Sequence, residues 1–145
     1  MQSDRYGTLG VGGGFALGVK LAKPDAEVWV LWGDGALGYS VMEYDTFKRH
    51  SVNVIGLCGN DACWGQIERD QTDLLGDPVS NVLEYSPYEK IAVALGGEGL
   101  CMSSPEEDLE QYIRSAQHTV SAAGKPVLLN ALLGKSDFRD GSISF

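Results

Sequence analysis

The 145-residue sequence predicts an α/β fold, a three-layer αβα sandwich in which helices cover both faces of a mainly parallel β-sheet. Two observations support this prediction. Apolar segments of strand length alternate with segments of helical periodicity along the whole sequence. The strand-like segments are apolar almost throughout, which is typical of parallel strands covered on both faces. The length is that of one domain, which we expect to span residues 1–145.

The first half of the sequence predicts a loop, a helix and a β–α–β unit. The glycine-rich residues 7–21 predict a loop followed by a closely packed helix that ends before Pro24. Residues 27–32 predict a strand, and a helix over residues 39–50 separates it from a strand over residues 53–58. Strands joined in this way are expected to be parallel neighbours with a right-handed crossover.

The second half predicts further helices and two more strands. Ser104, Pro105 and Glu107 fit a capping box with proline at the first helical position. We therefore expect an amphipathic helix to begin there and to end at Gly124. The other predicted elements are a short helix over residues 64–71, a long loop over 72–87, a helix from 88 to 95, a strand over 99–102 and a final buried strand over 126–133.

Composition and charge exclude several classes of function. The formal net charge is −9 and the pI is about 4.5, so no nucleic acid partner is expected, because no basic surface would neutralise its phosphates. No apolar run is long enough to span a bilayer, and Met1 begins no signal peptide, so we expect this chain to be soluble. The three cysteines lack zinc-type spacing, which favours reduced thiols in an intracellular protein.

Polar residues follow two neighbouring strands of the predicted sheet. A Gly-Asp-Gly turn around Asp34 comes directly after the first strand, and Asn60 and Asp61 follow the next. Carboxyl ends of parallel neighbours meet at one edge of a sheet, where ligands bind in such folds. Carboxylate and amide oxygens suit Mg²⁺, which proteins commonly hold together with phosphates. We therefore expect a metal-bound diphosphate here, with the backbone N–H groups of Gly35 and Ala36 binding further phosphate oxygens.

The same glycines fit a second interpretation. Gly33, Gly35 and Gly38 match the G-x-G-x-x-G pattern of a dinucleotide-binding Rossmann unit, with Asp61 as the later acidic residue. Asp34 argues against it, because a carboxylate inside the loop would repel a pyrophosphate unless a cation lay between them. A nicotinamide- or flavin-binding Rossmann unit is therefore the alternative, and a non-catalytic interaction domain is the third hypothesis.

The spacing of these residues resembles a known family motif. Asp34, followed 26 and 27 residues later by Asn60 and Asp61, resembles the GDG…NN motif of thiamine diphosphate enzymes. The resemblance covers essentially the whole sequence. Within this superfamily the sequence is most similar to acetolactate synthase-like proteins and 2-hydroxyacyl-CoA lyases of animals. Other residues that carry the resemblance are Glu43, Ala62, Trp64, Gly65 and the segment 137–142.

The resemblance implies a role for each matching residue. Asp34 corresponds to the first Mg²⁺ ligand and the backbone carbonyl of Cys63 to the third. Asp61 stands where the second ligand is usually asparagine, so the site would carry one more negative charge. Leu9 corresponds to the bulky apolar residue that keeps the cofactor bent. The remaining residues that the resemblance places at the cofactor are Gly7, Thr8, Gly33, Gly35, Ala36, Asn60, Trp64 and Gly65.

The resemblance also implies that the catalytic residues lie elsewhere. In the family, a glutamate from a separate pyrimidine-binding domain, usually of a second subunit, protonates the aminopyrimidine of the cofactor. Glu43 does not match that glutamate, and we expect it to be structural. Residues 1–145 are therefore expected to be a C-terminal diphosphate-binding domain of a larger enzyme, truncated at its N-terminus and inactive alone. The full enzyme is expected to be a homodimer or homotetramer.

The implied reaction is cleavage or formation of a C–C bond next to a carbonyl, with thiamine diphosphate and Mg²⁺ as cofactors. A 2-hydroxyacyl-CoA lyase is the main prediction. An acetolactate synthase-type carboligase, which condenses two 2-oxo acids, is the alternative within the family. The animal relatives further imply that an upstream segment anchors the parent protein to the endoplasmic reticulum membrane.

Other polar residues carry weaker hypotheses. His50 and His118 are expected to be solvent-facing helix residues rather than catalysts. Gln66, Arg69 and the loop over residues 72–85 are candidates for the substrate entrance, with ordinary surface as an open alternative. The tail beyond Lys135 either covers the site or trails in solvent.

Overall fold

The computed structural model describes residues 8–104, 106 and 108–135. Within these residues, parallel pairing joins the strands into one sheet. The strands are β1 (Trp29–Gly33), β2 (Ile55–Asn60), β3 (Glu98–Met102) and β4 (Val127–Leu132). Their order across the sheet is β1-β2-β4-β3, so β2 and β4 are the inner strands.

Helices alternate with these strands, as predicted. The described helices are α1 (Gly12–Ala22), α2 (Asp34–Gly38), α3 (Glu43–Arg49), α4 (Gly65–Leu75), α5 (Tyr88–Ala94) and α6 (Leu109–His118), and a π-helical turn (Thr119–Ala123) follows α6. No helix in the described ranges combines the length and the apolarity that a bilayer span requires.

Each face of the sheet has its own apolar cluster. On one face, Trp32 and Leu128 pack with Tyr44 and Phe47 of α3 and with Ala92 of α5. On the opposite face, a smaller cluster joins the sheet to α6 and consists of Ile55, Ala116, Val127 and Leu129. Because side chains of a strand alternate between faces, adjacent residues of β4 serve different clusters. Helices therefore cover both faces, which confirms the predicted three-layer α/β fold.

Helix α1 forms despite a glycine content that disfavours helices. It spans Gly12–Ala22 and thus ends before Pro24, as predicted. A Cβ atom placed on Gly12 would lie 2.8 Å from the indole nitrogen of Trp32. The absence of a side chain at Gly12 lets the helix lie directly against β1, so close packing compensates for poor propensity.

The boundaries of the first β–α–β unit differ from the prediction. Of the helix predicted over residues 39–50, only α3 (Glu43–Arg49) is helical, and a separate short helix, α2 (Asp34–Gly38), begins immediately after β1, where a turn is predicted. The second strand was predicted two residues too early. It extends through Asn60, because Gly59 and Asn60 pair with Ala131 and Leu132 of β4.

The predicted capping box was wrong as the start of α6. The helix begins at Leu109, and the carboxylate of Asp108 caps it by accepting hydrogen bonds from the N–H groups of Glu110 and Gln111. The hydroxyl of Ser104 accepts a hydrogen bond from the N–H of Glu106, which precedes the helix. Pro105 and Glu107 lie outside the described residues. The αL conformation of Gly124 closes the helical segment, as expected.

The predicted loop over residues 72–87 is shorter in the structure, since α4 extends to Leu75. The long loop therefore spans residues 76–87. Residues 136–145, including the segment 137–142 that carries part of the family resemblance, lie outside the described residues.

Candidate metal centre

The two polar turns predicted to form a site meet at one edge of the sheet. β1 and β2 are parallel neighbours, with Trp32 opposite Cys58 and Gly33 opposite Gly59. Asp34 follows β1 directly, and Asp61 follows β2 directly. The topology therefore brings the two aspartates together beyond the carboxyl ends of adjacent strands, where open α/β sheets bind ligands.

Asp34 is a buried carboxylate, and one of its two oxygens has no hydrogen-bond partner among the described residues. Its side chain is only 2% exposed, whereas aspartate side chains, which are ordinarily ionised at neutral pH, mostly lie in solvent. Its Oδ1 atom accepts a 2.9 Å hydrogen bond from the N–H of Gly35. Its Oδ2 atom is buried and has no hydrogen-bond partner in the described part of the chain. Such an atom is costly unless a ligand satisfies it.

Asp34 lies close enough to a second carboxylate, that of Asp61, for the two to interact. Burial raises the pKa of Asp34, and the neighbouring carboxylate of Asp61 raises it further, while the N–H groups of Gly35 and Cys63 lower it in part. Burial also raises the pKa of the Cys58 thiol to about 12, with contributions from both aspartates. A cation between the two carboxylates would relieve this repulsion.

The loop after β2 has a fixed backbone conformation. The N–H of Trp64 donates to the carbonyl of Asn81, and the carbonyl of Ala62 accepts from the N–H of Leu83, both at 2.8 Å. In an antiparallel bridge of this kind, the intervening residue directs its own N–H and C=O away from the paired segment. Cys63 is that residue, so its backbone carbonyl does not bond to the segment that holds the loop.

A cavity of about 440 Å³ opens at this edge of the sheet. Asp34, Asp61 and Cys63 contribute to its wall, and Leu9, which is half exposed, faces it from the segment before α1. Thr8 is exposed and does not line it. The other predicted site residues in its wall are Gly33, Gly35, Ala36, Trp64 and Gly65, together with Gln66 and Arg69 from the entrance hypothesis.

The expectations for Gly7, Asn60 and the N–H group of Gly35 have other outcomes. Gly7 lies outside the described residues. Asn60 is fully buried and donates hydrogen bonds into the protein interior rather than lining the cavity. The N–H of Gly35, which we expected to bind a phosphate, donates to Asp34 instead.

The structure adds residues that the sequence analysis missed. Gly59, Ile67, Leu133 and Gly134 also line the cavity. The last two follow β4, which is the other neighbour of β2. Leu133 and Gly134 could have been predicted from the sequence, because they follow the carboxyl end of a predicted strand. Among the described residues, no group of three or more His, Cys, Asp or Glu side chains is arranged to hold a metal ion.

Glu43 and the histidines lie away from this cavity. The side chain of Glu43 lies against α1, where a Cβ atom on Gly13 would approach its Cγ to 2.8 Å. This placement is consistent with the structural role that we expected. His50 and His118 are both exposed, at the ends of α3 and α6, as expected for surface residues.

Comparison with known proteins places this geometry in a family. Curated relatives include 2-hydroxyacyl-CoA lyase 2 of Danio rerio, 53% identical over 145 residues, and that of Homo sapiens, 52% identical over 144 residues; the aligned parts cover 99% of this chain and 23% of each relative. A probable acetolactate synthase of Mycobacterium bovis is 40% identical over 139 residues, covering 94% of this chain and 24% of the relative.

A solved structure agrees at the level of the fold. The thiamine diphosphate-dependent 4-hydroxybenzoylformate decarboxylase of Rhodococcus jostii RHA1 superposes with a TM-score of 0.76 at 21% identity, covering 89% of this chain and 24% of that protein. Residues 1–131 match the family described as thiamine pyrophosphate enzyme, C-terminal TPP binding domain. The chain therefore belongs to the family of C-terminal thiamine pyrophosphate (thiamine diphosphate) binding domains.

Proposed function

We propose that this chain holds the Mg²⁺ ion and the diphosphate of thiamine diphosphate in a 2-hydroxyacyl-CoA lyase. The buried Oδ2 atom of Asp34, which has no hydrogen-bond partner among the described residues, carries the proposal for the site. A protein gains nothing from an unsatisfied buried carboxylate oxygen unless a ligand completes it.

The residues present fit a magnesium ion bound to a diphosphate. Asp34, Asp61 and the backbone carbonyl of Cys63 would supply three oxygen ligands. Mg²⁺ takes six oxygens in near-octahedral array and is commonly held by one or two carboxylates together with phosphates. The lack of a larger cluster of ligating side chains in the described ranges agrees with a site that phosphate oxygens complete.

The chain's own residues would bind, orient and shield the cofactor. When bound, thiamine diphosphate supplies a carbanion that attacks a carbonyl carbon and then acts as an electron sink. Asp34 anchors the metal, and Leu9 offers half-exposed apolar surface for the part of the cofactor beyond the diphosphate. Trp64 forms one wall of the cavity, and its ring contacts Tyr39 with a centroid separation of 6.0 Å. Its bulk would keep water from the diphosphate.

We assign the reaction to cleavage of a 2-hydroxyacyl-CoA, at the bond next to its carbonyl. Six curated relatives support this assignment, since they are 42–54% identical to this chain and carry the name 2-hydroxyacyl-CoA lyase 2. An acetolactate synthase-type carboligase is the second candidate, favoured by the relatives at 40% identity. Family membership argues against the nicotinamide- or flavin-binding alternative.

The chain spans about a quarter of the length of these relatives. We propose that residues 1–145 are one C-terminal domain, and that a pyrimidine-binding domain of a second subunit completes the site in a homodimer or homotetramer. We also propose that another segment anchors the parent protein to the endoplasmic reticulum membrane. Fractionation of cells that express the full-length protein tests this anchoring.

Titration of the full-length protein with thiamine diphosphate tests the site. We expect quenching of tryptophan fluorescence that requires Mg²⁺ and that disappears in Asp34→Ala. Binding that is independent of divalent cations would contradict the proposed site. Affinity for NAD without a metal would favour the Rossmann alternative, and no binding of either ligand would favour an interaction domain.

Product analysis tests the reaction class. Incubation with a 2-hydroxyacyl-CoA should yield formyl-CoA and an aldehyde, whereas 2-oxo acids should yield little acetolactate. The reverse pattern would support the carboligase instead.

A further inference from the structure

A network of buried polar side chains lies beneath the loop that follows β2. Asn60 and Asn130 are fully buried, and Glu89 of α5 is 9% exposed. Asn130 Nδ2 donates to Glu89 Oε2 at 2.8 Å, and Asn60 Nδ2 donates to Asn130 Oδ1 at 3.2 Å. Both amides also donate to the carbonyl of Ser86, at 3.1 and 3.2 Å. We call Asn60, Asn130, Glu89 and this carbonyl the buried polar network.

The chemistry of the network fixes the direction of every hydrogen bond. A carboxylate only accepts, so Glu89 requires Asn130 to present its NH₂ group. The carbonyl oxygen of Asn130 then faces Asn60 and requires the NH₂ group of that residue. The remaining oxygen of Asn60 accepts from the backbone N–H of Ala62, at 3.3 Å. The network thus uses both N–H groups and the oxygen of each amide.

The end point of the network is the backbone of the proposed metal loop. Ala62 has φ of +54°, in the left-handed region that residues with a side chain rarely adopt. The hydrogen bond from its N–H to the side chain of Asn60 closes an Asx-turn, which helps to hold Ala62 in this conformation. Ala62 lies between Asp61 and Cys63, so its conformation sets the directions of both ligands.

We propose that Asn130 and Glu89 are positioning residues for the metal site, acting through Asn60. The inference rests on the proposed function, because it takes Asp61 and the Cys63 carbonyl to be metal ligands. Neither Asn130 nor Glu89 lines the cavity, and both are distant from the ligands in sequence. Their role is to hold the loop after β2 in the one conformation that directs both oxygens to the ion.

Ion size gives this proposal a specific signature. Mg²⁺ requires near-ideal octahedral geometry at about 2.0–2.1 Å, whereas Ca²⁺ accepts variable geometry at about 2.3–2.6 Å. A loop whose conformation has relaxed should therefore lose Mg²⁺ affinity and keep most of its Ca²⁺ affinity. Loss of global stability alone would not change the ratio of the two affinities in the folded protein.

The experiment measures the affinity of the full-length protein for Mg²⁺ and for Ca²⁺ at a fixed concentration of thiamine diphosphate. Asn130→Leu keeps the size of the side chain but removes its polar atoms, and Glu89→Met removes the acceptor. In each variant we expect the Kd for Mg²⁺ to rise about 10-fold and the Kd for Ca²⁺ to change far less, because groups behind a metal ligand typically contribute 10–100-fold to affinity. Glu89→Gln keeps an acceptor oxygen. Its ratio of Mg²⁺ affinity to Ca²⁺ affinity should therefore be much closer to that of the wild type than the ratio of Glu89→Met.

Asn53→Leu is the matched control. Asn53 lies just before β2, at the end of that strand opposite the proposed metal loop, and its Nδ2 atom donates a 3.4 Å hydrogen bond to the carbonyl of Val120. The substitution repeats the chemical change of Asn130→Leu away from the cavity. We expect altered stability at most, with the Mg²⁺ to Ca²⁺ ratio of the wild type.

The outcomes separate this inference from the proposed function. If the wild type binds thiamine diphosphate with Mg²⁺ but folded Asn130→Leu and Glu89→Met keep the wild-type ratio, the positioning role is wrong and the site stands. If the wild type shows no Mg²⁺-dependent binding, both fail. If Asn130→Leu does not fold, the comparison of Glu89→Met with Glu89→Gln decides.

Discussion

The indole ring of Trp64 occupies the space that a side chain on Gly35 would need. A Cβ atom on Gly35 would lie 2.6 Å from the Cε2 and Cζ2 atoms of the ring, closer than any normal contact. The glycine of the turn after β1 and the tryptophan of the loop after β2 are therefore matched. Their contact closes one side of the proposed diphosphate site.

Gly35→Ala should destabilise the domain and weaken cofactor binding. Alanine normally improves a helix relative to glycine by about 0.5–1 kcal/mol, but the clash with Trp64 should outweigh this gain at a cost of about 1–3 kcal/mol. Urea unfolding and thiamine diphosphate titration of the full-length protein measure the two effects.

Gly14→Ala is the control for that substitution. Gly14 also lies in a helix, and a Cβ atom there would meet no atom within 4 Å. We expect equal or greater stability and unchanged cofactor affinity. Equal tolerance of alanine at positions 14 and 35 would show that the ring of Trp64 moves aside at little cost.

Asp34→Ala should abolish Mg²⁺-dependent binding of thiamine diphosphate, with a loss of more than about 100-fold, because it removes a direct ligand rather than a group behind one. Asp34→Asn should have different effects on cofactor binding and on the stability of the cofactor-free protein. It removes a buried carboxylate whose pKa is raised by burial, so the cofactor-free protein should become no less stable. Binding should be lost, because the amide oxygen would keep the hydrogen bond from Gly35 and the NH₂ group, which cannot bind a cation, would take the place of Oδ2. Isothermal titration and thermal unfolding without cofactor test this pair. Retained Mg²⁺-dependent affinity in Asp34→Ala would exclude this residue as the anchor of the metal.

Asp61→Asn should be tolerated. The amide keeps an oxygen in the position of the proposed ligand and relieves the repulsion that raises the pKa of Asp34. We expect thiamine diphosphate affinity within a few-fold of the wild type at saturating Mg²⁺. Asp61→Ala, which removes the oxygen, should bind far more weakly. If Asp61→Asn binds as poorly as Asp61→Ala, the second negative charge is itself required.

Tyr44→Phe should lower stability without affecting the cofactor site. The fully buried hydroxyl of Tyr44 donates a 2.9 Å hydrogen bond to the carbonyl of Val127, which is 83 residues away in sequence. Burial raises the pKa of Tyr44 well above its ordinary value, so the donor proton stays in place. Its loss should cost about 1–3 kcal/mol of unfolding free energy, because the carbonyl loses a buried partner. A variant with wild-type stability would contradict this contribution.

Cys58 should resist thiol reagents. It is fully buried, and its pKa of about 12 leaves a thiolate fraction on the order of 10⁻³ at pH 9. Cys101 is only partly buried and should be modified first. Mass spectrometry after treatment of the folded protein with iodoacetamide distinguishes the two peptides. Modification of Cys58 at a rate similar to that of Cys101 would indicate that the sheet opens readily at β2.

The periodicity of the sequence was sufficient to predict the order of the helices and strands but not the residues at which they begin and end. The apolar residues of β1 and β2 predict two strands, yet nothing local shows that Gly59 and Asn60 continue the second strand. Their pairing with Ala131 and Leu132, about seventy residues later, decides it. The start of α6 was misplaced for a related reason, because Ser104 and Asp108 are both good caps and local sequence cannot rank them.

The two aspartates of the candidate site could be predicted from the sequence, whereas the buried polar network behind them could not. Asp34 and Asp61 are recognisable because each follows a strand directly, so the fold alone brings them together. Asn130 looks like an isolated polar residue in an apolar strand, and Glu89 like a surface residue near the start of a helix. Their hydrogen bond spans 41 residues of sequence, and only the three-dimensional packing of α5 against the sheet reveals it.

The position of β4 in the sheet has a consequence for folding. β4 is the last of the four strands in sequence, yet it lies between β2 and β3. During synthesis, β1 and β2 can pair early, whereas β3 gains β4, its one neighbour among the described strands, only when residues 127–132 have emerged from the ribosome. The same late strand delivers Asn130 to Asn60. The loop after β2 should therefore acquire its final conformation only in the last step of sheet assembly, which would delay metal binding until the fold is complete.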